Sequence, residues 1–286
     1  MDTNANKNIR KTVRENYGNI VRAHESQVNT ATGPSCCGDS PAAGPSSEAC
    51  GCGTGHISAA QISALIGYSQ AEQDSVPEGA NLGLGCGNPQ TIAALQPDET
   101  VVDLGSGGGF DCFLAAKKVG TNGQVIGVDM TPDMVSRARQ NAEKIQSDNV
   151  EFRLGEIENL PVPDAQADLI MSNCVINLSP EKQKVYHEAY RVLKPGGRLA
   201  ISDIVALQPL PDNIKSDLEM VSACVGGAAT VADTENMLKR AGFENIRIVP
   251  AKVSQEIVDE WLPGSKVGEY VAPASIEARK PNAQQS

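Results

Sequence analysis

No apolar run in the 286-residue sequence approaches the length of a membrane span. The first residues, Met1-Asp-Thr-Asn-Ala-Asn-Lys-Asn, lack the apolar core of a secretory signal. A basic excess is missing too: 24 Lys and Arg stand against 35 Asp and Glu, a formal net charge of -11. That balance disfavours nucleic acid or an anionic membrane surface as partner. Together these absences predict a cytoplasmic protein acting on a small or polar substrate. Thiols stay reduced in that compartment, so eight cysteines argue for metal binding, redox work or catalysis before structural disulfides.

The stretch Val101-Val102-Asp103-Leu104-Gly105-Ser106-Gly107-Gly108-Gly109-Phe110 passes from an apolar, β-branched run through a glycine cluster into a helix-forming segment. It reads as strand, tight loop, helix, the ligand-side turn of an α/β sheet. A dinucleotide fingerprint is absent, because the last glycine of Gly-x-Gly-x-x-Gly falls on Phe110 or Cys112 in the two available registers. The pattern present, Asp-x-Gly-x-Gly-x-Gly from Asp103 to Gly109, resembles motif I of the class I S-adenosylmethionine (SAM) methyltransferases. The acidic ribose partner expected at the next strand end is Asp129, in Gln124-Val-Ile-Gly-Val-Asp129.

Around this centre, Val13, Tyr17, Ile20 and Val21 predict an amphipathic helix over 10–22 that packs on the core. Residues 28–56 are rich in Gly, Pro and Ser and carry Cys36, Cys37, Cys50 and Cys52, a flexible loop with four thiols. From residue 100 the pattern alternates as in a doubly wound parallel sheet, with strands expected at 100–104, 124–129, 150–154, 167–172, 197–205, 245–249 and 270–278. Thr131 and Pro132 open one helix, whose inward face is Met134, Val135, Ala138, Ala142 and Ile145. Another runs from Pro180 to Leu193, and Thr230 with Asp233 forms a capping box for a third. The expected architecture is therefore α/β, a Rossmann-like class I methyltransferase with a seven-stranded, mostly parallel sheet. Its expected parts are an N-terminal helix and Cys-rich loop (1–75), a SAM-binding core (76–208), and a C-terminal part that completes the sheet and bears substrate ligands (209–286).

Three further stretches narrow the resemblance: Asn81-Leu-Gly-Leu-Gly-Cys86-Gly-Asn-Pro89, Ser172-Asn-Cys174-Val-Ile-Asn177-Leu178 and Ser222-Ala-Cys224-Val-Gly-Gly-Ala228. With Tyr17-Gly18 and Leu65-Ile-Gly-Tyr68-Ser, they resemble the SAM-dependent arsenite methyltransferases over residues 13–281. The resemblance implies that Cys86, Cys174 and Cys224 bind arsenic(III), a soft centre that prefers thiolates and keeps a lone pair as nucleophile. It also implies a disulfide relay that returns two electrons to arsenic after each transfer. A further N-terminal cysteine serves that relay; Cys36 and Cys37 both occupy its place, with Cys37 preferred. Thioredoxin or a small thiol would reset the enzyme. For SAM, the resemblance implies Asp103, Gly105, Ser106 and Gly107 at the methionine end and Asn173 closing it. Asp129 would then hold the ribose and Met130 flank the adenine, with Glu156 or the Ile157 backbone at the adenine amino group. The expected reaction is methylation of arsenite, or of its thiol conjugates, for detoxification.

Blander readings stand beside these. Cys112 reads as packing. Cys36, Cys37, Cys50, Cys52 and His56 offer zinc ligands, but neither cysteine pair has Cys-x-x-Cys spacing and the loop has little apolar material to fold round a metal. Extra arsenic or redox thiols, or no role, remain as readings. His24 and His187 are expected to face solvent, and Asp203 is either structural or pocket-lining. Two other function classes remain: a methyltransferase of carbon or oxygen in a small organic molecule, and a non-enzymatic protein that sequesters soft metals through thiols.

Overall fold

The computed structural model describes residues 3–31, 58–251 and 266–283. Cys36, Cys37, Cys50, Cys52, His56 and Trp261 lie outside the described residues. The helices are α1 (Thr3–Ala31), α2 (Ala59–Leu65), α3 (Gln70–Asp74), α4 (Gln90–Ala93), α5 (Phe110–Val119), α6 (Pro132–Lys144), α7 (Lys182–Val192), α8 (Asp212–Ser216), α9 (Leu218–Ser222) and α10 (Val231–Ala241). The strands are β1 (Thr100–Leu104), β2 (Gln124–Asp129), β3 (Val150–Leu154), β4 (Ala167–Asn173), β5 (Leu193–Ala206), β6 (Glu244–Pro250) and β7 (Val271–Arg279). They form one sheet in the order β3-β2-β1-β4-β5-β7-β6, in which β7 runs antiparallel to both of its neighbours. All seven expected strands are present.

Because β1 is apolar on both faces, alternate residues serve two cores. Val102 and Leu104 join Ile126, Val128 and Ile170 beneath one layer of helices, and Val101 joins Val125, Leu169 and Met171 beneath the other. The helical layers follow from spacing. Val185, Ala189 and Val192 of α7 are buried, as are Met134, Val135 and Ala138 of α6. Ile145 departs from that face: it lies just past the last turn of α6 and is 40% exposed. Thr131 stands at the N-cap of α6 but makes no side-chain cap bond, because its hydroxyl and its N–H both turn to Asp129. At α10 half of the capping box forms. The Thr230 hydroxyl accepts from Asp233 N, whereas the Asp233 carboxylate accepts from that same hydroxyl rather than from the Thr230 backbone. His187 is exposed and His24 is half-buried.

The order reverses at β1, with β2 on one side and β4 on the other, so a crevice opens at their carboxyl ends. A third buried cluster caps this end. It gathers Val13 from α1, Leu178, Ile204, Leu210, Val225 and three cysteines. Among the described residues no helix is long and apolar enough to cross a membrane.

Candidate active site

The loop after β1 turns through left-handed conformations at Gly105, Gly107 and Gly109 before α5 begins. Gly105 and Ser106 both donate backbone bonds to Val128 O, which ties the loop to β2. At the end of β2, the Asp129 carboxylate accepts from Gly107 N at 3.0 Å and from Thr131 N at 2.8 Å. These residues border a cleft of about 1070 Å³, counting its open mouth. Asp103, Gly105, Ser106, Gly107, Asp129, Met130, Ile157, Asn173 and Cys174 all line it. The sequence-predicted cofactor residues are therefore brought together, with one exception. Glu156 is not in the lining: its carboxylate pairs with Arg14 at 3.3 Å and Arg10 at 3.6 Å on the side of α1, while Glu158, two residues on, borders the cleft instead.

The cleft suits a cationic ligand. Burial pushes the carboxyls of Asp103, Asp111 and Asp129 up from their ordinary value, and at Asp103 the neighbouring Asp111 adds to the rise. A positive charge placed here would draw them back toward the ionised form. The buried Ser106 hydroxyl, at the glycine loop, has no hydrogen-bond partner within the protein. Such an orphaned group in a lining loop calls for a ligand.

A polar network links this cleft to the first cysteine. The Tyr68 hydroxyl donates to Asp111 at 2.7 Å, and the Asn173 amide donates to the Tyr68 oxygen at 3.0 Å and to Gly87 O at 2.8 Å. Asn173 also accepts from Cys86 N at 3.0 Å, so the last residue of β4 grips the Cys86 loop by two backbone bonds.

Cys86, Cys174 and Cys224 share the capping cluster, each 6% exposed or less. Cys86 and Cys174 are joined by a disulfide across 88 residues of sequence. The sequence puts metal, redox or catalytic roles for the thiols before structural disulfides, and the structure joins these two in a bond. Cys224 remains a thiol and donates to Cys174 O at 2.8 Å. Burial pushes the Cys224 thiol up, and nearby Asp203 adds to that effect; the Tyr17 hydroxyl and Lys182 oppose it. Asp203 is buried in mid-strand and accepts from Ile176 N, Asn177 Nδ2 and Ile204 N. Burial pushes its carboxyl up to about 6. One of its oxygens lies within 4.8 Å of both disulfide sulfurs, so its role combines structure with proximity to the thiols. Cys112 is buried and donates its thiol to Asp103 at 3.2 Å, a packing position with one polar contact.

Sequence reasoning gave no site role to Arg10, Tyr17, Tyr68, Asp111 or Glu158, all of which line the cleft. Tyr17 and Tyr68 sat in segments already singled out, which was a usable signal. Asp111 and Arg10 carried none, because their roles arise from contacts far apart along the chain.

A family model described as "Methyltransferase domain" matches residues 95–242. An arsenite methyltransferase of Halobacterium salinarum is 50% identical over 95% of this chain and 66% of its own length. One from Aquipseudomonas alcaligenes is 43% identical over 65% of this chain and 56% of its own length. The chain thus spans between about half and two thirds of the length of these curated relatives. A solved structure, an arsenic(III) S-adenosylmethionine methyltransferase from Chlamydomonas reinhardtii, matches with a TM-score of 0.59 at 34% identity. That match covers 78% of this chain and 74% of the other.

Proposed function

Since the chain belongs to the methyltransferase-domain family, and within it to the arsenic(III) S-adenosylmethionine methyltransferases, we propose that it transfers methyl groups from SAM to arsenic(III) held by Cys86, Cys174 and Cys224. One observation carries this reading: Cys174 borders the glycine-loop cleft and also belongs to the buried cysteine cluster, so acceptor and donor sites meet at one residue.

When bound, SAM supplies a methyl group already activated on a sulfonium sulfur. The residues that would hold it are the Gly105–Gly107 loop and Asn173 at the methionine end, Asp129 at the ribose, and Met130 with Ile157 beside the adenine. Asp103, Asp111 and Asp129 match its net positive charge. Three reduced thiols take up arsenite by exchange, each As–OH leaving as water with a thiol proton as an As–S bond forms. The arsenic lone pair then faces the cleft and is itself the nucleophile, so no side chain has to remove a proton. Alignment of the reacting atoms is the chain's main contribution to rate.

Transfer leaves arsenic formally pentavalent. Attack of a further thiolate on one ligand sulfur forms a disulfide, and the As–S bonding pair stays on arsenic, which returns to the trivalent state with two thiolate ligands. Cys37 is our candidate for that thiolate, with Cys36 beside it in sequence. Thioredoxin or a small thiol then returns the disulfide to dithiol with two electrons and two protons. The Cys86–Cys174 disulfide is a state in which two of the three ligands are withdrawn, so it too must be reduced before arsenic binds.

The test is direct. Reduced protein, SAM, a thiol reductant and arsenite are incubated, and the arsenic species are separated. Mono- and dimethylated arsenicals are expected; their absence while SAM still binds would return the chain to the small-molecule methyltransferases.

A further inference from the structure

Of the three proposed arsenic ligands, Cys174 is fixed by the sheet and Cys86 by Asn173, whereas Cys224 stands on little local structure. It follows α9, a helix of only 5 residues, and has a left-handed backbone with φ +63°. Its own N–H is bound to Val221 O at 3.0 Å, within the same short turn. Besides the bond from the Cys224 thiol to Cys174 O at 2.8 Å, this turn is tied to the site from the other end of the chain.

Two successive residues of α1 reach it. Asn16 Nδ2 donates to the Ser222 hydroxyl at 2.9 Å, and the Tyr17 hydroxyl donates to Ser222 O at 3.2 Å. The Tyr17 hydroxyl also lies beside the Cys224 thiol, whose own proton goes to Cys174 O. Tyr17 borders the cleft, and Val13, one turn earlier on α1, packs in the cysteine cluster. The helix is anchored on either side of this grip. Arg10 binds Glu158 at 2.9 Å and Glu181 at 2.7 Å, and Arg22 pairs with Asp133. Anchored at both points, α1 works as a ruler that sets where Ser222, and so Cys224, can lie. It also lies wholly before residues 95–242, the part matched by the methyltransferase model.

We propose that Asn16 and Tyr17 are positioning residues for the arsenic site: through Ser222 they hold the third sulfur against the other two. This rests on the function proposed above. Without the grip, the Cys224 turn is free to leave, and arsenic keeps two protein sulfurs with water or hydroxide as third ligand.

The experiment uses the full chain, reduced, as wild type, Tyr17→Phe and Asn16→Ala/Tyr17→Phe. Arsenite is bound and the As–S bonds are counted by X-ray absorption at the arsenic edge; arsenite and SAM dissociation constants are measured in parallel. Wild type is expected to show three sulfurs and the double variant two sulfurs with one oxygen. Arsenite affinity should weaken about tenfold or more, as for loss of one hydrogen bond to a charged group. SAM affinity should fall less than arsenite affinity, since Tyr17 borders the cleft but its hydroxyl bonds Ser222 O and none of the residues assigned to SAM. Three sulfurs and unchanged arsenite affinity in the double variant would overturn the proposal. Fewer than three in wild type would overturn the three-thiolate reading itself, a separate failure. Should the double variant not fold, Tyr17→Phe alone decides, since it keeps the ring and removes only the hydroxyl that bonds Ser222 O: unchanged coordination and affinity there overturn the proposal.

Discussion

Replacing Gly105 by alanine separates backbone strain from steric clash at the centre of the cofactor loop. Gly105 has φ +71°, a left-handed conformation that costs an alanine about 1–2 kcal/mol. An added Cβ would also lie 2.2 and 2.6 Å from the two methyl carbons of Val175 and 2.8 Å from its Cβ. Forcing a methyl into such a contact costs about 1–3 kcal/mol more. Gly105→Ala should therefore destabilise the fold by about 2–5 kcal/mol, the sum of the two effects. The second effect vanishes if the obstacle is removed. In Gly105→Ala/Val175→Gly the combined loss should fall short of the sum of the two single losses by about 1–3 kcal/mol, a coupling measured by a double-mutant cycle in urea. The SAM affinity of the double variant should recover only in part, because the turn remains strained. Strict additivity would refute the reasoning, since the Val175 contact would then contribute nothing to the glycine requirement.

Three further outcomes follow from the same geometry. SAM affinity should rise with pH. The free cleft holds Asp103, Asp111 and Asp129 with raised pKa values, a cation favours their ionised forms, and binding therefore releases protons; a flat or falling profile by calorimetry would contradict this. Arg10→Met should cost about 1–2 kcal/mol in thermal unfolding, because Glu158, whose side chain is 8% exposed, loses its cation; an unchanged midpoint would show that α1 is not anchored there. Protein in which mass spectrometry finds Cys86 and Cys174 bridged should bind arsenite only weakly until reduced, and equal affinity in both states would exclude these two sulfurs as ligands.

What the sequence revealed was what local chemistry determines. Strand β1, its glycine turn and Asp129 were legible because a β-branched run, a glycine cluster and an acid at the next strand end each have a local cause. Boundaries were less legible: β5 begins at Leu193 rather than 197, because Leu193 already pairs with Ala167 of β4. Glu156 and Glu158 are two residues apart in one loop, and composition offers no reason to prefer the second. It is selected by Arg10, 148 residues away, and by the Ser179 hydroxyl at 2.6 Å. The Tyr68–Asp111–Asn173 network is likewise a product of the fold, joining three segments that share no spacing rule. The Cys86–Cys174 disulfide was hidden for a different reason: proximity of the two thiols was expected, and their oxidation state is not written in sequence.

The backbone around the cysteines argues that their sulfur, and not their bulk, is what these positions require. Cys174 and Cys224 both have positive φ, +54° and +63°, where a residue bearing a Cβ is disfavoured by about 1–2 kcal/mol and glycine is not. For packing alone, glycine at the turn with an apolar neighbour would be less strained. The surroundings hold Cys174 in this conformation: Cys174 N donates to Ser202 O at 2.8 Å, and Asp203 accepts from Ile176 N and Asn177 Nδ2 at 2.9 Å each. Cys86 reaches the same place by the opposite device. It is flanked by glycines whose added Cβ atoms would meet Asn173 Nδ2 at 2.6 Å and Ser202 Oγ at 2.9 Å, so only a bare backbone lets this loop press onto the ends of β4 and β5. Strain at two cysteines and glycine on both sides of the third are different local solutions that bring the sulfurs to one place. Backbone strain that packing does not require, held in place by several independent bonds, is the pattern expected where a side chain is kept for its chemistry.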